Sequence, residues 1–202
     1  MGEIGIALPR IRKIMVGALL GVGLLVSIAA SSQERSKPEI IQGVITGTGL
    51  QAGQLTNFTL VIYEFSTPDD KQILVDAFQK SQNMGLFNAL TKMRAVGRVA
   101  ITGTLGYDVK YIRWFPTPAG RSIRFVTDRK ISMAEAWGDS RSQEYNLSGG
   151  ILEMDDSEMK KSSGVVYGAA KLAMKDGEMS IDLANNPWKV ASMRDNKGTA
   201  EN

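Results

Sequence analysis

Residues 97–128 read GRVAITGTLGYDVKYIRWFPTPAGRSIRFVTD. Three runs rich in β-branched and aromatic residues are separated by two short breaks, TGTLG at 102–106 and TPAG at 117–120. Gly and Pro supply the backbone conformations that reverse a chain, so the stretch predicts consecutive strands joined by tight turns. Its Ile-Thr-Gly-Thr core occurs also at 45–48. Neither copy has the G-x-G-x-x-G or G-x-x-x-x-G-K-[ST] spacing with which backbone N–H groups cradle phosphate, so both read as strand exits and turns. In 107–115, Val109, Tyr111, Arg113 and Phe115 share one parity, and Asp108, Lys110, Ile112 and Trp114 the other.

Working outward, EIIQGVITG (39–47), NFTLVIYEF (57–65) and YNLSGGILEM (145–154) are further strand candidates. In AAKLAMKDGEMSIDL (169–183), Asp176-Gly177 suits a two-residue primed turn. That turn sets Lys175 opposite Glu178, Leu172 opposite Ile181 and Lys171 opposite Asp182, with the apolar and charged pairs on opposite faces. NNPWKV (185–190) then brings Trp188 in to close the core. ISMAEAWGDSR (131–141) fits either a short helix or an irregular edge.

A helical pattern interrupts the strands. Thr67 is placed to cap it, Pro68 fits its first position, and Asp70 stands where a capping box has Glu or Gln. Ile73, Leu74, Ala77 and Phe78 form an apolar stripe that weakens at SQNMG (81–85) and resumes at Leu86, Phe87, Leu90 and Met93. Residues 68–93 thus predict two helices or one kinked helix lying on a sheet. The expected class is α+β: a predominantly antiparallel curved sheet, a partial barrel or a sandwich, with the helical segment packed against it. A curled sheet of this kind offers space for a small or apolar ligand.

The start of the chain reads as a targeting segment. Arg10, Arg12 and Lys13 precede an apolar stretch at 14–30, which ends in small and polar residues. This is the order of a signal peptide, cut after Ala29 or after Ser31. The alternative is a retained inner-membrane anchor at 14–30, and membrane contact is expected only during export or through that anchor. The expected organisation is a signal peptide at 1–31, a flexible leader at 32–38, a single β-rich domain at 39–193 and a polar tail at 194–202. The expected location is periplasmic or secreted.

Absent residue types narrow the chemistry. The chain of 202 residues has no His and no Cys, which removes His-based acid–base catalysis, thiol nucleophiles, thiolate metal sites and disulfides. Its 24 Lys plus Arg stand against 21 Asp plus Glu, but residues 1–31 hold three of the cations and one anion, leaving 21 against 20. So balanced a charge argues against nucleic acid as partner. Local charge is uneven: residues 94–130 carry eight basic residues against Asp108 and Asp128, whereas 131–160 carry seven acidic residues against Arg141 and Lys160. Arginine forks bind carboxylates and phosphates. Arg94, Arg98, Arg113, Arg121 and Arg124, with Tyr111, are therefore the candidate ligand-binding residues, for an anionic small molecule or an envelope protein.

Two further functional classes stay open. A hydrolase would use a carboxylate pair drawn from Glu64, Asp108 and Asp128, and an interaction domain would anchor a partner through Trp114, Trp137 or Trp188. The acidic run EMDDSEMKK (153–161) lacks the spacing and glycine pivot of a calcium loop, and Ser157-x-x-Lys160 lacks the companion motifs of a Ser-Lys hydrolase, so no cofactor or metal is expected. The leading expectation is a noncatalytic envelope binding or accessory protein.

Two resemblances add to this reading. The stretch from VGRVAITGTLGYDVKYIRWFPTPAGRSIRFVTDR through AAKLAMKDGEMSI to NNPWKV resembles exported bacterial proteins of unknown function, which implies export and a shared domain but no catalytic residue. VITGTGLQAGQLTNFTLVI (44–62) resembles the opening of filamin-type immunoglobulin-like repeats, which implies a β-sandwich; the helical segment at Pro68 departs from their all-strand pattern.

Overall fold

A computed structural model of the chain describes residues 37–49, 52–131, 145–175, 178–184 and 186–197. They belong to one compact unit, residues 35–202. Nine strands occur among the described residues: β1 (Glu39–Thr46), β2 (Leu55–Ile62), β3 (Gly97–Ile101), β4 (Tyr107–Thr117), β5 (Gly120–Thr127), β6 (Leu147–Asp155), β7 (Ser163–Lys175), β8 (Glu178–Leu183) and β9 (Trp188–Asn196). One helix, α1 (Pro68–Lys92), joins β2 to β3, and a short 3₁₀ turn, Met159–Lys161, lies between β6 and β7.

Strands β1 to β7 pair each with the next, all antiparallel, and β9 inserts between β7 and β1 to close the ring. The result is an eight-stranded antiparallel barrel. β7 serves twice: Gly164–Val166 pair with β9 and also face β6, and Ala170–Lys175 pair with β8, which extends the sheet outside the ring. The class is therefore mostly β rather than α+β, because the helix is a single cover on a closed sheet. The sheet closes on itself and does not divide into the two facing layers of a sandwich.

Alternation fills the interior. Ile41, Ile45, Phe58, Leu60, Ile123, Phe125, Leu152 and Val190 point inward and are essentially inaccessible, and Trp188 is 1 % exposed. An eight-stranded ring is just wide enough to be filled by side chains or to hold one small ligand; here bulky residues fill it, with small ones beside them. Gly150 leaves room for the Phe125 ring, whose Cε1 lies 2.5 Å from where a Cβ would stand, and Gly168 does the same for the Trp188 indole. Among the described residues, core side chains thus occupy the interior of the curled sheet.

The predicted helix features form. Thr67 Oγ1 accepts the Asp70 N–H at 3.2 Å, and Asp70 Oδ2 accepts the Thr67 N–H at 2.7 Å, so Asp completes the box in place of Glu or Gln. The helix breaks at Ser81 and Gln82, where φ/ψ are −148°/26° and 45°/−134°. Beyond the break, the Asn83 amide donates to Asn146 Oδ1 and accepts the Leu172 N–H, each at 2.9 Å, fixing the kink to β7. Leu74, Phe78, Leu86 and Leu90 then cover Leu147, Val126, Tyr111 and Leu172 on the outer face of β4 to β7.

Two local departures from simple alternation matter. In β4, Val109 pairs with Thr127 but Tyr111 pairs with Val126, so Lys110 is an extra, bulged residue. Val109 and Ile112 therefore both point inward, and Tyr111, Arg113 and Phe115 outward. In β9 a second bulge lies between Ala191 and Arg194, and the strand continues to Asn196, into the segment read as a polar tail. The β7–β8 register is the predicted one, from Lys175 opposite Glu178 to Lys171 opposite Asp182, while the Asp176-Gly177 turn lies outside the described residues. Also outside them are the targeting segment, Trp137 and nearly all of the ambiguous 131–141 segment.

Candidate functional site

The outer wall of β4, β5 and β6 carries the candidate site. Because the Lys110 bulge resets parity, Arg113 faces outward and is the direct cross-strand partner of Arg124. The Arg124 guanidinium lies 4.8 Å from the centre of the Phe115 ring, two residues further along the same face. Among the described residues, neither Arg113 nor Arg124 has a carboxylate within ion-pair distance. Tyr111 continues the row and is half-buried beneath the helix; burial raises its hydroxyl above the ordinary pKa of 10, with Arg113 opposing the rise.

Beside Arg124, across β5, β6 and β7, runs an open-sided apolar groove of about 170 Å³. Val126, Leu147, Ile151, Tyr167, Ala170 and Leu172 line it, with Arg124 and Lys171 as the charged residues of the lining among the described residues. The depression follows from register. Gly149 stands between Val126 and Tyr167 in the cross-strand row, so the middle strand contributes no side chain there. Lys171 already has partners, with its Nζ 3.4 Å from Asp182 and 4.7 Å from the centre of the Tyr145 ring. Among the described residues, the contact of Arg124 is with Phe115. A wider, shallower hollow at Val44, Leu55, Thr56, Asn57 and Thr102 has no charged residue.

The other predicted arginines are engaged elsewhere. Arg94 forms an ion pair with Glu64 on the surface. Arg98, on β3, donates to the Leu105 carbonyl and so holds the second Ile-Thr-Gly-Thr turn, where Gly103 and Gly106 have φ of 87° and 82°. Arg121 has the inward parity of Ile123 and lies in one mouth of the barrel. There it bonds Glu39 of β1 and, at 2.7 Å, Asp195 of β9. Burial raises the Glu39 carboxyl pKa above its ordinary value, against the pull of Arg121. Of the five arginines, the fold brings together Arg113 and Arg124, next to Tyr111; the other three serve the scaffold.

The carboxylates are engaged in ion pairs and hydrogen bonds. Asp108 and Asp128 approach the single Lys110 ammonium, at 3.7 and 3.8 Å, and Asp128 also lies 3.4 Å from Arg129. A cation between two carboxylates makes an ion triad, not a pair flanking a cleft. In the acidic run, Glu153 accepts the Ser122 hydroxyl at 2.7 Å, and Asp155 Oδ1 accepts Ser157 Oγ and the Ser157 and Glu158 N–H groups. Those bonds, led by that of Glu158, lower the Asp155 pKa and close a turn. They also commit the Ser157 hydroxyl to a carboxylate. No cluster of metal-ligating side chains occurs among the described residues. Trp188 is core, and Trp114 is 47 % exposed near the β4–β5 tip.

Comparison with family models, curated proteins and solved structures gives no match at any of the three levels.

Proposed function

We propose that the protein is a noncatalytic binding protein of the bacterial envelope, exported by residues 1–31, which holds a small apolar group in the groove on its outer wall. The observation that carries this reading is the contrast between a barrel interior filled by its own side chains and an open apolar groove beside an arginine with no carboxylate in ion-pair reach among the described residues. The space is close to that of an engineered apolar cavity of about 150 Å³ that binds benzene, so a ring or short alkyl segment fits it. The basic, apolar and small-residue sequence of 1–31 supports export.

The test is binding of the neutral probe N-phenyl-1-naphthylamine to residues 35–202. That segment holds every barrel strand, with the terminal strands β1 and β9 paired to each other. Saturable fluorescence enhancement is expected, with Kd on the order of 10–100 μM. Ile151→Trp, which fills the groove from its outward-facing floor, is expected to remove it. Unsaturable binding, or equal binding by the variant, refutes the reading.

A further inference from the structure

We infer that the groove's ligand is an amphiphile with an anionic head, the head resting on the Arg113–Arg124 pair and the tail lying along β6. The inference rests on the binding role proposed above and names the ligand class. Like charges directly opposite each other on neighbouring strands destabilise a sheet. Arg113 and Arg124 are such a pair, with no acid in ion-pair reach among the described residues. Among the described residues, Glu153, one cross-strand row away, accepts the Ser122 hydroxyl, and Asp70 is held in the Thr67 capping box. A cation–π contact with Phe115 holds the Arg124 fork at the rim of the groove. Two planar guanidinium groups on one face match the paired oxygens of a carboxylate or phosphate.

Tail length follows from the strand. The groove extends along β6 from Ile151 to Leu147, four residues or about 13 Å at ~3.3 Å per residue. An extended octyl to decyl chain matches that distance, with part of it seated in the groove and the rest lying in its open side. Among the described residues of the lining, the other charged one, Lys171, is paired with Asp182, and Arg124 is the charged anchor.

Displacement of N-phenyl-1-naphthylamine from residues 35–202 by decanol below its solubility limit, and by decanoate and decyl phosphate below their micelle concentrations, tests the inference. At least one anionic ligand is expected to bind tenfold or more tightly than decanol. The advantage should fall in high salt and vanish in the Arg113→Gln/Arg124→Gln double variant. Preference for decanoate or for decyl phosphate supports the inference and identifies the head. If the probe binds but anions gain nothing over decanol, the inference fails and the groove reading stands; if the probe does not bind, both fail. Arg113→Glu gives a second readout, because it turns the like-charged pair into an opposite one. Its Tm without ligand should rise by about 1–3 °C, and an unchanged or lower Tm overturns the claim of uncompensated repulsion.

Discussion

Gly168→Ala tests the idea that the ring closes only because glycines make room for its largest side chains. A Cβ at 168 would stand 2.4 Å from Cη2, 2.9 Å from Cζ2 and 3.0 Å from Cζ3 of Trp188. Unbonded carbons prefer about 3.5–4.0 Å, so the indole or strand β7 must move by roughly 1 Å. The indole is 1 % exposed inside a closed ring and has no open side to move toward. Overpacking of this kind costs about 1–3 kcal/mol, and the rigidity of both partners places the variant near 3. For a domain of this size that lowers Tm by roughly 6–12 °C. The sign itself is diagnostic, because Gly168 has no positive φ, and Ala at a compatible backbone position stabilises by about 0.4–1 kcal/mol through the unfolded chain. Trp188→Phe removes the ring atoms that the methyl meets, so a double-mutant cycle should show favourable coupling of about 1–2 kcal/mol. Urea denaturation followed by far-UV circular dichroism measures all four proteins without relying on the altered tryptophan. Additive effects within about 0.5 kcal/mol would refute the steric argument.

Other outcomes follow from the mouth and the helix. Burial raises the Glu39 pKa in the folded state, so its contribution to stability is fully present below the ordinary value of 4.5 and is lost as pH rises through the raised value. Glu39→Gln, which does not titrate, should therefore gain stability relative to the parent between pH 4 and pH 7; a urea midpoint difference that is constant or falls with pH contradicts this. Asn83→Ala leaves the Leu172 N–H without its acceptor and should cost about 1–2 kcal/mol, with faster hydrogen exchange at Leu172; unaltered exchange there would show that the kink is held by packing alone.

Local features of the fold were legible because local chemistry determines them. The turns at 102–106 and 117–120, the Thr67 cap, the break near Ser81 and the β7–β8 register all follow from a few adjacent residues. Long-range features were not. Closure depends on β9 entering between β1 and β7, a pairing between distant segments with no local signature. The first half of β7, SGVVYG, reads weakly as strand because its glycines, chosen to fit Leu152 and Trp188, interrupt the pattern. Strict alternation in β4 put Val109 and Ile112 on opposite faces; their spacing of three was the one sign of the bulge that turns Arg113 outward. The arginine set dispersed for the same reason. A basic run in sequence becomes a surface only through register, and the groove needs Gly149, Arg124 and Leu172 from three strands.

The Arg121 bonds have a mechanical consequence. β1 and β9 are antiparallel neighbours, and Glu39 and Asp195 lie at the same end of the seam between them. Tension applied between the two ends of the domain would therefore peel the seam open bond by bond instead of shearing all its hydrogen bonds at once. The guanidinium that grips both strands stands where peeling would begin, so it acts as a clasp at the point where the barrel has least resistance to force.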